Sequence, residues 1–381
     1  MKNVAKILIV TLMFLLTVSG VYFTEQAVSA QQSEPPKTAG QAFKNIQVLK
    51  DIPADQMLST MSFIAGSLGV DCNHCHVNPF DKDEKPQKLR AREMMVMMQK
   101  INADNFKGAA VVNCATCHQG RTQPRTTAPL AHVDFKRVLE PAAAPGALPT
   151  ADEVLAKYTQ ALGGKDKLDK LTTMAMKASR TEIRGPNPPR TVKGEMYRKA
   201  PNKLMIAQLT PEGKIGGAQA YNGTMLWAGN EQGGQEVRRA QDVNGARRDA
   251  VFNRNFALKE QFSTMEVKGR EWIGDKEAYV VEGTFADTAL EKMLFNVKRE
   301  RLYFDTKTGL LIRRSAELDT PLGRLPEQTD FDDYRPVEGV MVPFTIISSR
   351  PPFTTITKFS EITVNTPLDD AKFDMPKKPA Q

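Results

Sequence analysis

Cys72-Asn73-His74-Cys75-His76 and Cys114-Ala115-Thr116-Cys117-His118 share the pattern Cys-x-x-Cys-His, and together they contain every cysteine of the 381-residue chain. In such a run the two thiols can form thioether bonds to the vinyl groups of one haem, and the next histidine can take the proximal position on the iron. The two copies therefore predict two covalently bound c-type haems. The predicted attachment residues are Cys72, Cys75, Cys114 and Cys117, and the predicted proximal ligands are His76 and His118.

Two other kinds of site use paired cysteines. Two Cys-x-x-Cys pairs can hold zinc, but a zinc ribbon needs no histidine directly after each pair, and the gap between these pairs is longer than usual for a ribbon. Two disulfides are the second alternative in an oxidising compartment, although a pair two residues apart is more often redox or metal chemistry than a structural link. The pattern favours haem attachment over both.

Residues 1–30 have the pattern of an export signal. Lys2 and Lys6 precede an apolar run at 7–23, and Ala27-Val28-Ser29-Ala30 places small residues at the cleavage positions. We expect cleavage after Ala30 and an exported, periplasmic protein. An uncleaved anchor that keeps the protein at the membrane is the alternative, because the apolar run approaches membrane-spanning length. Export agrees with the haem prediction, since thioether attachment of haem takes place outside the cytoplasmic membrane.

The formal net charge of +8 is a modest surplus for a chain of this length. It suits an acidic redox partner protein or a membrane electron-transfer complex on an anionic surface. The sequence contains no helix-turn-helix, zinc finger or aromatic platform, so nucleic acid is not an expected partner.

The chain divides into five predicted segments. A signal at 1–30 and a tether at 31–40 precede a dihaem domain at 41–125, a linker rich in proline and alanine at 126–149, and a β-rich domain at 150–381.

Within the haem domain we predict one helix from Asp55 to Leu68, ended by Gly69, and another from Pro86 to about Asn105. In the carboxy-terminal domain, Thr150 to Glu153 form a capping box that opens a helix, and short β-rich runs separated by turn residues follow from Leu171 onward. Residues 238–262 look helical instead. The predicted fold class is α+β, a small helical module followed by a larger antiparallel sheet.

The sixth iron ligand decides between electron transfer and catalysis, and methionines on the two predicted helices are candidates for it. Core packing is the alternative use of such residues. His74 is expected to be a spacer between the cysteines. His132, in the linker, could replace a methionine as a ligand, but a surface role is favoured.

Several runs in the haem segment resemble the cytochrome c subunit of photosynthetic reaction centres. They are Met61-Ser62-Phe63, Leu68-Gly69-Val70, the first haem motif, Ala91-Arg92-Glu93-Met94, Asn102, and 114–120. The resemblance covers about residues 41–130 and implies that Met61 is the distal ligand of the first haem and Met94 that of the second. Members with four haems have two further motifs and a ligand histidine that this chain lacks, so we expect two haems. The rest of the chain does not match, which places a photosynthetic role in doubt.

The segment after residue 150 has no histidine, cysteine, nucleophile elbow or phosphate loop, which argues against an enzyme. Its pattern loosely resembles the lipoprotein-carrier half-barrel superfamily, which implies a curved sheet with an apolar concave face and a lipophilic ligand. The favoured function is periplasmic single-electron transfer. The alternatives are a dihaem peroxidase-like enzyme with an open iron site, and a lipophile-binding carrier or redox sensor.

Overall fold

The protein is represented by a computed structural model, which describes residues 37–124, 146–295 and 297–377. The predicted signal segment, most of the predicted tether and linker, and His132 lie outside the described residues. None of the described helices is both long and apolar enough to cross a bilayer.

The helices begin and end at residues whose chemistry explains their limits. Gly69 ends the helix before the first haem motif in the left-handed conformation (φ +66°), and Pro86 occupies the first turn of the next helix. The Thr150 hydroxyl accepts a hydrogen bond from the Glu153 amide at 3.2 Å, which confirms the predicted capping box. The described helices are α1 (Ala39–Ala42), α2 (Met57–Leu68), α3 (Pro86–Phe106), α4 (Cys114–His118), α5 (Ala151–Ala161), α6 (Lys165–Leu168), α7 (Ala240–Ala250) and α8 (Leu290–Phe295).

One antiparallel sheet contains all thirteen described strands, and its linear order β6-β5-β4-β3-β2-β1-β13-β12-β11-β10-β9-β8-β7 leaves it open. The α+β prediction is therefore confirmed, with a small helical amino-terminal region and a large open sheet. The strands are β1 (Thr173–Arg184), β2 (Arg190–Lys199), β3 (Lys203–Leu209), β4 (Ile215–Tyr221), β5 (Leu226–Asn230), β6 (Gly233–Glu236), β7 (Phe262–Ile273), β8 (Lys276–Phe285), β9 (Arg299–Asp305), β10 (Leu311–Thr320), β11 (Gly323–Val337), β12 (Val340–Arg350) and β13 (Phe353–Val364).

The long helix predicted over 238–262 is wrong in extent. The helix α7 ends at Ala250, turns follow, and only Lys259–Gln261 forms a short 3₁₀ helix. Long-range contacts explain the early end, because Arg198 donates hydrogen bonds to the carbonyls of Asp249 and Val251 at 3.1 and 2.8 Å. These bonds take the last carbonyls of the helix, and the Phe252 amide bonds to the Pro201 carbonyl instead of continuing it.

The helical region and the sheet share one hydrophobic cluster. Phe63 of α2 and Met98 of α3 belong to the same buried group as Leu322 and Leu325 at the β10–β11 turn. The described residues from Thr38 onward accordingly form one compact unit.

Three turns at one end of the sheet contact the helical region closely. A Cβ atom on Gly66 would lie 2.4 Å from the Pro351 Cβ in the β12–β13 turn, and one on Gly323 would lie 2.6 Å from the Phe63 ring. At the β1–β2 turn, the Asn187 side chain donates a hydrogen bond to the Asp71 carboxylate at 2.7 Å. These approaches leave no room for a side chain at either glycine, so the sheet fixes the position of α2.

A buried ion pair joins β10 to β9 beneath the segment that follows α7. The Arg314 guanidinium, 2% exposed, donates to both carboxylate oxygens of Glu300 at 2.9 and 2.5 Å. It also donates to the Asn255 side chain at 2.7 Å, so it holds residues 254 and 255 against the sheet.

Replacing Glu300 by leucine should lower the free energy of unfolding by about 3–5 kcal/mol, because it leaves the Arg314 charge buried without a counter-charge. Urea unfolding followed by tryptophan fluorescence measures this. The control is Glu361→Leu, which removes the exposed pair between Lys177 and Glu361 (2.7 Å) and should cost less than about 1 kcal/mol. Equal losses in the two variants would contradict the assignment.

Candidate functional site

The first haem motif forms a single 3₁₀ turn at Cys72–His74. The Asp71 carboxylate caps this turn by accepting a hydrogen bond from the Asn73 amide at 3.1 Å, and the His76 amide bonds to the Cys72 carbonyl at 3.0 Å. The turn therefore keeps both cysteines and the histidine on one short stretch of backbone. Burial raises the pKa of the Cys75 thiol, so this thiol is protonated at neutral pH.

The ring of His76 has a defined orientation. Its Nδ1 lies 3.0 Å from the carbonyl oxygen of Phe80, and the two rings stack with centroids 5.0 Å apart. A carbonyl oxygen can only accept, so Nδ1 donates and Nε2 carries the free lone pair of a neutral imidazole. Burial lowers the pKa of His76, and the hydrogen bond to Phe80 and the charges of Lys88, Arg92 and Asp83 modify that shift. The neutral tautomer that results is the one that binds a metal through Nε2.

The second motif is the helix α4, and the local sequence explains why it forms. The side chain of Asn113 accepts a hydrogen bond from the Thr116 amide at 3.1 Å while the Thr116 hydroxyl accepts one from the Asn113 amide at 3.1 Å. This is a reciprocal cap. Gln119 then ends the helix in the left-handed conformation (φ +49°).

His118 repeats the geometry of His76. Its Nδ1 lies 3.0 Å from the carbonyl oxygen of Arg121, so Nε2 is again the nitrogen left for a metal. The two motifs differ in local structure, a 3₁₀ turn in one and an α-helical turn in the other, yet both hold the histidine by its Nδ1. Burial raises the pKa of the Cys114 thiol, as it does for Cys75.

Two further contacts hold the motifs in place. Asn102 of α3, 6% exposed, donates to the Val112 carbonyl at 2.8 Å and accepts from the Val112 amide at 2.9 Å, which fixes the segment that leads into the second motif. The amide of Gly120, after the second motif, bonds to the Ser67 carbonyl of α2 at 2.8 Å. The end of α2 therefore leads into the first motif and is bonded to the residue that follows the second.

A charged cluster holds the loop between the first motif and α3. The Asp83 carboxylate contacts Arg92 at 2.9 Å and Lys88 at 3.0 Å, and accepts a hydrogen bond from Asn45 at 2.9 Å. Together these contacts hold the pKa of Asp83 well below its usual range. We did not predict this cluster from the sequence, because no spacing rule relates residues 45, 83, 88 and 92.

The predicted methionine ligands occupy different environments. Met61 of α2 is partly buried and packs against the hydrophobic cluster, whereas Met94 of α3 is 39% exposed. The buried methionines of α3 are Met95 and Met98. Met94 and Met97 therefore lie on the exposed side of that helix, away from its core contacts.

Exposed apolar side chains are concentrated around the two motifs. Among the described residues, nine of the fourteen large hydrophobic side chains classed as exposed lie between residues 43 and 111: Phe43, Leu58, Phe80, Leu89, Met94, Val96, Met97, Phe106 and Val111. A soluble surface rarely carries so many apolar side chains in so short a segment unless a ligand or partner covers them. The residues present therefore fit haem, whose porphyrin is a large apolar ligand.

The cysteines at 72, 75, 114 and 117 are free thiols in the structure. Within residues 37–124, 146–295 and 297–377, no group of three or more histidine, cysteine or acidic side chains is arranged to hold a metal ion.

The sheet borders a cavity of about 550 Å³. Its apolar lining includes Met174, Met176, Phe252, Phe359 and Ile362. Three arginines that reach the cavity are each paired with a glutamate: Arg248 with Glu327 at 3.0 Å, Arg254 with Glu291 at 3.0 Å, and Arg314 with Glu300 at 2.5 Å.

Sequence comparison relates the amino-terminal part of the chain to known cytochromes. Residues 18–137 match the family described as the photosynthetic reaction centre cytochrome C subunit. Cytochrome c-554 of Chloroflexus aurantiacus is 40% identical over 82 residues, which cover 19% of this chain and 20% of that protein. The reaction center cytochrome c subunit of Rubrivivax gelatinosus is 34% identical over 93 residues, covering 23% of this chain and 25% of the relative. The chain thus spans about a quarter or less of the length of these relatives.

Structure comparison finds solved structures that are similar to more than half of this chain. A LolA superfamily protein of Nitrosomonas europaea has a TM-score of 0.42 and 16% identity, over 60% of this chain and 98% of that one. A DUF1329 family protein of Desulfovibrio piger also has a TM-score of 0.42, with 14% identity over 58% of this chain and 96% of that one.

The amino-terminal similarity agrees with the geometry of the two Cys-x-x-Cys-His motifs. In its amino-terminal segment this chain is similar to the reaction-centre cytochrome c subunit family.

Proposed function

We propose that this protein is an exported, periplasmic dihaem c-type cytochrome that transfers single electrons to or from a redox partner protein or a membrane electron-transfer complex. Haem 1 is attached to Cys72 and Cys75, and haem 2 to Cys114 and Cys117. The axial ligands are His76 and Met61 for haem 1, and His118 and Met94 for haem 2.

The observation that carries the proposal is the shared orientation of the two motif histidines. Each donates Nδ1–H to a carbonyl 3.0 Å away, from Phe80 in one motif and Arg121 in the other. That bond selects the tautomer, orients the ring and increases the basicity of Nε2, as in metal-bound histidines generally. A histidine that served only as a surface residue would not need the same bond at both motifs.

The placement of the methionines supports the rest of the ligand set. Met94 lies on the exposed side of α3, within the segment that carries nine exposed apolar side chains, and Met61 lies on the helix that precedes the first motif. When bound, haem supplies one-electron redox chemistry at its iron. Met61 and Met94 would hold the sixth position of the two irons, and would then leave none open for peroxide. This argues for electron transfer rather than a peroxidase-like activity.

The number of haems can be measured directly. Protein matured in a host with haem-attachment machinery should carry two haems by intact mass and by pyridine haemochrome assay, because each motif is complete. Cys72→Ser combined with Cys75→Ser should leave one haem. The control is Ser59→Ala, outside both motifs, which should retain two. Colourless wild-type protein of unmodified mass would overturn the proposal.

The methionine ligands can be tested one at a time. Met61→Ala or Met94→Ala should convert one haem, about half of the total, to a high-spin form that binds carbon monoxide, because each removes one axial ligand. Optical spectra and carbon monoxide titration measure this. The control is Met97→Ala, which removes another exposed methionine of α3 and should leave both haems low-spin. A Met94 variant that stays fully low-spin would exclude Met94 as a ligand.

We infer a second role for the sheet, the binding of a lipophilic ligand in the 550 Å³ cavity. Its volume falls in the range of small-molecule sites, its walls are largely apolar, and three of its arginines are already neutralised by glutamates. An apolar molecule can therefore enter without breaking these pairs.

The cavity can be blocked from β13. Thr355, Thr357 and Phe359 line it, while Lys358 is exposed on the other face of the strand. Thr357→Trp should weaken binding of a fluorescent fatty acid at least about tenfold by filling the cavity, and Lys358→Trp, the matched control, should not. Displacement titration measures both affinities. Equal binding by the two variants would place the ligand elsewhere.

A further inference from the structure

We infer that Lys88 raises the reduction potential of haem 1, by acting on the carbonyl that orients its proximal histidine. The inference rests on the proposed function and concerns a positioning residue, because Lys88 acts through His76 and Phe80.

One carbonyl oxygen connects the lysine to the histidine. The Phe80 oxygen accepts from His76 Nδ1 at 3.0 Å and from Lys88 Nζ at 2.9 Å. A cationic donor on a shared acceptor withdraws electron density from it, so the carbonyl is a weaker acceptor for the imidazole. The His76 ring then donates less electron density to an iron bound at Nε2.

The ammonium group is held in one position. Its three donors reach the Phe80 carbonyl, the Lys82 carbonyl at 2.7 Å and the Asp83 carboxylate at 3.0 Å, which accounts for all three N–H groups of a lysine. Lys88 is only 9% exposed, so water screens its charge weakly. A surface lysine with free rotamers would not provide such a fixed charge.

The charge balance of the cluster is positive. Asp83 neutralises one charge, but both Lys88 and Arg92 contact it, at 3.0 and 2.9 Å. Because a ferric haem carries one more positive charge than a ferrous one, a nearby net positive charge favours the reduced state. The field of the cluster and the weakened histidine bond therefore act in the same direction.

The second motif lacks this arrangement. Within the part of the chain that the structure describes, the Arg121 carbonyl accepts from His118 and from no lysine or arginine side chain, and the Arg121 side chain itself is exposed to solvent. Among the described residues, no cation thus shares the carbonyl that His118 bonds.

Potentiometric titration of the two-haem protein, followed optically, tests this with four variants. Lys88→Met should lower the potential of haem 1 by about 59 mV, a tenfold change in the one-electron equilibrium, and leave haem 2 unchanged. Lys88→Arg should restore most of the difference because it keeps the charge. Asp83→Asn should shift haem 1 in the opposite direction, since it removes the counter-charge. Lys100→Met, on the exposed side of α3, should shift neither.

The titration should show two one-electron transitions, and the one that Met61→Ala shifts is assigned to haem 1. Intact mass and low-spin spectra establish that each variant holds two haems. If Lys88→Met fails to retain both, Asp83→Asn alone decides the sign. Unchanged potentials, or equal shifts of both waves, in protein with two low-spin haems would overturn the inference and leave the proposed function standing. Absence of haem from the wild type would overturn the proposed function itself.

Discussion

The pairing of β1 with β13 holds the two halves of the sheet together. These strands pair from Met174 with Val364 to Arg184 with Phe353, so residues about 170 to 190 positions apart become neighbours at the centre of the sheet. Every other strand pairs with a neighbour in sequence, and the strands fall into two series that run outward to β6 and β7. The cavity lining comes from both series, with Met176 from one and Phe359 from the other. The cavity therefore exists only when the central pair is formed.

The haem motifs depend on a different kind of interaction. Their geometry is local, since each histidine bonds to a carbonyl three or four residues later, and each motif is capped by the residue that precedes it. Local bonds of this kind can orient a ligand before the rest of the chain has folded. These local bonds do not shield the motifs from water. Shielding comes from the hydrophobic cluster that α2, α3 and the sheet share. In the proposed cytochrome, attachment would thus be specified by short segments, whereas the redox properties of the iron would depend on the tertiary contacts around it.

The sequence predicted those features that short-range chemistry controls. The two Cys-x-x-Cys-His runs, Pro86 in a first helical turn, Gly69 at a helix end and the cap formed by Thr150 all act within a few residues. The helix predicted over 238–262 was wrong because Arg198, far away in sequence, takes the carbonyls at its end. The strand order, the paired charges of the cavity and the contact of Lys88 with Phe80 were not predicted for a similar reason. Each joins residues through the folded backbone, and no periodicity or spacing in the sequence indicates that they meet.

The close approaches of Gly66 to Pro351 and of Gly323 to Phe63 would have a consequence for electron transfer by the proposed cytochrome. Because neither glycine leaves room for a side chain, α2 packs directly against the sheet turns, and haems bound beside α2 would keep a fixed position relative to the sheet. A partner protein that binds the sheet would therefore always lie at the same distance from the haem edges. This matters because the rate of electron tunnelling falls steeply with distance. The contact surface of the sheet would then set the distance between haem and acceptor, and so determine which acceptors come within tunnelling range.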